Sequence, residues 1–388
     1  MRVLIAPDRF GPTLTARQAA EALAAGWRAG APHDETHLQP LSAGGPGLLD
    51  VLAEGAAAQM LALSVTGPHG SAVPAAILHL PAAPGLPETV YVEAAQAAGA
   101  HLLGGRHPEP GLASSLGVGE LLDAARATGA PRVVLGLGAS VVHDGGAGLL
   151  AALGAGPEEH LARGGLALAA LPDDALDGLV AARERWAGVE LVVLTDEELP
   201  LLGLQGASAT QAEARGATPA QAQALERALG RLTELAARAL PPSTDLLSGR
   251  PRRLDREPGA GADGGVAYAA YLLGARRRSG LEEVAARVSL SAQAAEADLV
   301  VTGELRFDWE SLRGGVVTGV AAVAEQAARP SLVLAGEAVV GRREAMGAGL
   351  SSVYALGEGS TALPEGAALG KQLRERAARL ARTWSPGR

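Results

Sequence analysis

Short runs of Val, Leu and Ile recur along the chain, each closing on glycine or an acidic residue. The clearest occupy residues 2–6, 90–92, 132–137, 190–194, 298–302, 331–335 and 352–355. They lack the polar alternation of a half-exposed strand, so they are expected to be buried on both faces. Longer Ala/Leu-rich stretches with helical spacing separate them, and that alternation predicts βαβ units with mainly parallel sheets. Thr15-Ala16-Arg17-Gln18 reads as a capping box ahead of a helix to about Ala29. No repeat of 20–50 residues emerges. A proline-rich stretch (81–87) and a polar region (243–265) are candidate crossings between domains.

A chain of 388 residues favours two domains of ordinary size. With 48% hydrophobic and 19% charged residues it can bury a large core, and its 52 glycines are scattered through loops. The formal net charge of -9 gives no attraction for nucleic acid. The densest basic cluster, Arg276-Arg277-Arg278, follows the apolar segment 266–273 and is expected to complement a helix C-terminus in preference to forming a binding patch. The absence of cysteine excludes disulfides, thiolate catalysis and iron–sulfur clusters. No apolar stretch is long enough for a membrane span, and the N-terminus has no signal-peptide layout, so a cytoplasmic protein is expected.

Ligands of open parallel sheets bind beyond the carboxyl ends of strands, so the residues there carry the candidate chemistry. Asp8 could orient a hydroxyl or hold metal-bound water, or simply cap a turn. Ser42-Ala43-Gly44-Gly45-Pro46-Gly47 leads into a helix, where backbone N–H groups can meet a phosphate. Gly138 to Gly148 combines clustered glycines (Gly145 and Gly146 among them), the hydroxyl of Ser140, the acid Asp144 and a helix start. His143 lies in the same loop, as a base or a structural imidazole. Among Asp196, Glu197 and Glu198, Asp196 is the chosen magnesium ligand, since Mg²⁺ prefers a few hard oxygens with water and phosphate. Gly259 and Gly261 fall in a G-x-G-x-x-G match that no strand precedes. A dinucleotide site therefore fails its context, and a backbone phosphate cradle stays open. Glu304 and Asp308 could assist a metal, while Arg306 either grips an anion or pairs with Asp308. The P-loop, H-E-x-x-H, G-x-S-x-G and H-R-D patterns are all missing.

Taken in order, these segments resemble the bacterial glycerate kinase family over nearly the whole chain. The resemblance rests on Ala6-Pro7-Asp8 with Phe10, Pro40 with Gly44-Gly45 and Gly47, Glu93-Ala94 with Gly99, and Gly117 with Gly119-Glu120. It continues through Ser140 with Asp144-Gly145-Gly146-Ala147-Gly148, Asp196, Pro200-Leu201 with Gly203, and Pro258 to Ala262. It ends on Ala297-Asp298-Leu299-Val300, Thr302-Gly303-Glu304, Arg306 and Asp308. The resemblance implies two three-layer α/β/α domains: a discontinuous doubly wound one from 1–75 and 285–388, and an inserted one from 76–284, with the active-site cleft between them. It implies phosphorylation of D-glycerate, at the 2-position in preference, from ATP with magnesium. Asp8 and Asp196 would be catalytic, and Asp196, Glu304 and Asp308 metal ligands. Arg9, Arg306, Ser140 and Asp144 would hold substrate, and Gly44, Gly45, Gly138, Gly145, Gly146, Gly259 and Gly261 the nucleotide phosphates. The partner is a small hydroxy acid, with neither nucleic acid nor membrane, and a homodimer is left open.

Several motif positions depart from the family pattern. Arg9, Gly11 and Pro12 replace serine, lysine and glycine, and Ala43, Pro46 and Leu48 replace two carboxylates and a hydroxyl. Val142-His143 replaces Thr-Asn, Arg215 stands in a lysine position, and Gly315 replaces a second lysine. Phosphoryl transfer needs charge and positioned donors at such places. A non-catalytic paralogue acting as a binding or regulatory protein is therefore the alternative expectation.

Overall fold

The computed structural model describes residues 1–54, 57–241, 244, 249, 251–357 and 363–385. Two compact units emerge, one from Met1–Ala43, Asp50–Glu54 and Ser279–Arg388, the other from Gly44–Leu49 and Gly55–Arg278.

The first unit carries a five-stranded sheet in the order Ser352–Ala355, Ser331–Ala335, Leu299–Thr302, Arg2–Ile5, Glu35–Leu38, with every pair parallel. Its apolar runs feed both faces, as their lack of alternation requires. Leu332 and Leu334 pack with Leu23, Trp27 and Leu373 on one side. Val333 and Ala335 pack with Val317, Ala321 and Leu350 on the other. The helices Ala16–Gly30 and Gly366–Trp384 cover the first of these faces. Thr15 and Gln18 form the capping box ahead of the former, as expected. The strand order reverses between Arg2–Ile5 and Leu299–Thr302, which makes their carboxyl ends the switch point where a doubly wound sheet binds ligands.

The second unit has a six-stranded sheet: Gln59–Thr66, Ala72–Leu80, Thr89–Glu93, Arg132–Gly136, Glu190–Leu194 and Arg276–Arg278. The first three strands run antiparallel and the remaining pairs are parallel. The mixed α/β class with mainly parallel sheets is thus as expected. Helix Pro219–Ala239 opens on a second capping box, Thr218 with Gln221, and has Pro219 in its first turn.

Three expectations give way here. Arg276–Arg278 is an edge strand paired with Val192–Leu194, not a helix terminus, because the preceding helix stops at Leu272 and Gly274 turns the chain at φ +100°. Charged side chains on an edge also oppose further strand pairing. The stretch 81–87 is a hairpin connection closed by the Ala83–Leu86 bridge, inside one unit. The boundary at 75/76 moves, since Gln59–Thr66 pairs along its full length with Ala72–Leu80 and so belongs to the second unit. Of the other expected crossing, 243–265, residues 243, 245–248 and 250 lie outside the described residues. No described helix is long and apolar enough to cross a membrane.

Candidate functional site

At the switch point of the first unit the backbone is tied together by Ala6 N–H to Val301 O and Asp8 N–H to Gly303 O, both 2.8 Å. Thr302 Oγ1 donates to Ala6 O at 2.8 Å. A Cβ at Gly303 would collide with Leu334 O and meet Phe10 at 3.0 Å, so glycine is required for the strand ends to close up. Two carboxyls are thereby brought together. Burial pushes Asp8 up to about 6, against the Arg9 backbone N–H (2.7 Å to Oδ1) and the Arg9 charge, which pull it down. Burial pushes Glu304 up to about 8, opposed by a hydrogen bond from Ser311 and reinforced by the charges of Asp8 and Asp308. Glu304 Oε1 is buried and finds no hydrogen-bond partner among the described residues.

The arginines around this cluster are partly engaged. Arg306 Nε donates to Asp308 Oδ2 at 3.0 Å and Nη1 lies 3.7 Å from Glu337 Oε2, so the internal ion pair is realised. Arg9 Nε donates to Gly11 O at 2.9 Å. Asp308 Oδ1 also accepts from Glu310 N–H (2.9 Å), which fixes the turn after Arg306–Phe307. Among the described residues no three His, Asp or Glu side chains gather as a cation cage. Magnesium is usually held by one or two carboxylates with water and phosphate, and Glu304, with Oε1 unpartnered, could supply one such ligand, whereas both Asp308 oxygens already accept hydrogen bonds.

In the second unit the expected phosphate loops are largely committed to internal acceptors. Gly138 N–H donates to Asp263 Oδ2 (2.9 Å), Gly145 N–H to Gly264 O (2.9 Å) and Gly261 N–H to Leu199 O (3.1 Å). Asp144 is fully buried and accepts from Ser115 N–H (2.8 Å), Ser115 Oγ (2.9 Å), Gly146 N–H (3.0 Å) and Gly148 N–H (3.2 Å). With its oxygens so used, Asp144 anchors the loop rather than contacting substrate. Ser140 is buried and its Oγ accepts from Val142 N–H at 3.2 Å. A Cβ at Gly146 would clash with Ala269, and one at Gly259 would lie 2.9 Å from Thr195 Cγ2, so these glycines serve close packing. Gly44 is buried, while Gly45 and Gly138 are half-exposed and meet backbone to backbone. A Cβ on Gly138 would sit 3.1 Å from Gly45 Cα. Glu93 Oε2 accepts from Gly47 N–H (3.0 Å) and Leu49 N–H (3.4 Å), so a carboxylate already occupies that helix start.

Asp196 lies half-buried just beyond Glu190–Leu194, in a different unit from Glu304 and Asp308. Beside it Glu197 accepts from Gln211 Nε2 (2.9 Å), Gln211 accepts from Arg215 Nη2 (2.9 Å), and Arg215 Nη1 reaches Val142 O (3.1 Å). His143 is buried and held near pKa 3 by desolvation and the Arg215 charge, with Nε2 2.9 Å from Ser208 Oγ. A neutral imidazole sealed from solvent is a structural group, not a base. Sequence reasoning passed over Asp263, Glu93, Ser311 and Gln211 as site residues. Asp263 had a signal, an acid set in a glycine loop, and it takes a left-handed φ of +49°.

The glycerate kinase family profile matches residues 3–385. Glycerate kinase of Bacillus subtilis is 31% identical, covering 98% of this chain and 96% of its own. Glycerate 2-kinase of Escherichia coli is 32% identical, covering 87% and 85%. An uncharacterised protein of Mycobacterium bovis is 38% identical over 92% of this chain and 84% of its own. Among solved structures, a putative glycerate kinase 2 from Salmonella typhimurium superposes with a TM-score of 0.75 at 30% identity, covering 99% and 98%.

Proposed function

The chain belongs to the glycerate kinase family, and we propose that it phosphorylates the 2-hydroxyl of D-glycerate from ATP. The observation that carries this reading is the Asp8–Glu304 pair at the switch point, with one buried carboxyl oxygen left without a partner. Asp8, at the end of the first strand, would orient the attacking hydroxyl and draw its proton, since a carboxyl near 6 is mostly ionised at neutral pH. Arg9 and Arg306 supply positive charge for the substrate carboxylate. Glu304 would hold magnesium, which when bound neutralises phosphate charge. The amides of Gly138, Gly145, Gly146 and Gly261 already have acceptors, so nucleotide phosphates would have to be met by other donors.

Those committed amides favour a second reading, a paralogue that keeps the fold and binds without turnover. ADP release with ATP, magnesium and D-glycerate decides between them, with Asp8→Asn as control and an enolase-coupled assay reporting the 2-phosphate. Glycerate-dependent ADP that vanishes in Asp8→Asn supports the kinase. ADP equal in both proteins leaves the binding paralogue.

A further inference from the structure

A cavity of 620 Å³ lies along the edge of the second unit's sheet, beside Arg276–Arg278. None of its lining residues belongs to the candidate site above. Among the described residues Arg183, Arg252, Arg276 and Arg277 face it with the carboxylate of Glu257, and Arg277 Nη2 also lies 3.7 Å from Glu198 Oε1. Such an excess of guanidinium groups is out of keeping with a chain of formal net charge -9. Like charges sharing one space repel unless an anion sits among them.

Three of the four arginines have internal work. Arg183 Nη1 donates to Leu272 O at 2.6 Å, Arg252 Nε to Glu257 Oε1 at 2.7 Å, and Arg277 Nε to Thr195 O at 3.1 Å. These contacts hold the guanidinium groups in place, which lowers the ordering cost of binding. The Arg276 side chain has no hydrogen bond or ion pair among the described residues. It is exposed at the cavity rim with all its donors to give. Leu240 and Leu254 add apolar wall, and Tyr271, whose hydroxyl donates to Pro258 O at 2.9 Å, closes one side.

We propose that this cavity binds a small polyanion, a phosphate ester or a polycarboxylate, seated on Arg276 between the fixed arginines. A planar fork of donors suits both phosphate and carboxylate oxygens, so the two sources share one chemistry. Inorganic pyrophosphate and citrate separate them as probes.

The test is isothermal titration of the full chain with each probe, for the wild type, Arg276→Ala, Arg276→Glu and the control Arg227→Ala. Loss of a charge-assisted contact predicts about tenfold weaker binding in Arg276→Ala. Binding should disappear in Arg276→Glu, stay unchanged in Arg227→Ala, and weaken with added salt in the wild type. Whichever probe binds tighter identifies the source. Because Arg276 is exposed, the variants should melt with the wild type; if Arg276→Glu does not fold, Arg276→Gln takes its place. Affinity for both probes unchanged on substitution, or no binding of either to the wild type at millimolar concentration, overturns the assignment.

Discussion

Glu304→Gln removes the titrating group at the switch point while keeping its size and its hydrogen-bonding shape. In the folded chain burial and the charges of Asp8 and Asp308 raise this carboxyl from 4.5 to about 8. Folding therefore takes up a proton between those values, and the unfolded chain holds fewer protons there. Stability from this group is fully present below about pH 4.5 and is lost as pH rises through 8. At about 1.36 kcal/mol per pKa unit the step is bounded near ~5 kcal/mol, and water reaching the half-buried carboxyl reduces the expected effect to about 2 kcal/mol. Glutamine cannot ionise, so the variant escapes the penalty. Thermal melts with EDTA from pH 5 to 9 should show wild type and variant converging at acid pH. At pH 9 the variant should melt about 4–8 °C higher. Magnesium added at pH 8 should raise the wild-type melt and leave the variant unmoved. Parallel curves for the two proteins across the pH range would refute the claim that Glu304 is a buried, uncompensated carboxyl.

Other substitutions test the second unit. Asp144→Ala strips the acceptor from Ser115, Gly146 and Gly148 and should cost about 3–5 kcal/mol in denaturant melts; a variant as stable as wild type with only a raised KM would restore the substrate role. Gly146→Ala places a methyl against Ala269 at a φ of +72° and should cost about 2–4 kcal/mol by the same measure. His143→Gln removes an imidazole held near pKa 3 against 6.5 in the unfolded chain. The wild type should thus lose stability as pH falls below 6.5, and the variant should lose less, as read by acid melts at low salt. An equal acid slope in both would show that His143 is not sealed.

Much of this molecule was legible in the order of its residues. Val, Leu and Ile runs such as 132–137 and 331–335 lie in strands because only burial on both faces accounts for their lack of alternation. Thr15 and Gln18 announced a helix start because capping is a contact over three residues. Asp8 and Glu304 were singled out by their position beyond strands, and the sheet order then placed them side by side. Tertiary contacts alone decided the rest. Arg276–Arg278 became a strand because Glu190–Leu194 offered an open edge, which no local pattern reveals. The glycines of 138–148 and 259–265 looked like ligand loops, yet most of their amides and Cα atoms face one another, Asp144 or neighbouring helices. Whether a glycine meets a phosphate or a packed side chain depends on what the fold brings opposite it. Local sequence sets backbone freedom; long-range packing determines what fills the space.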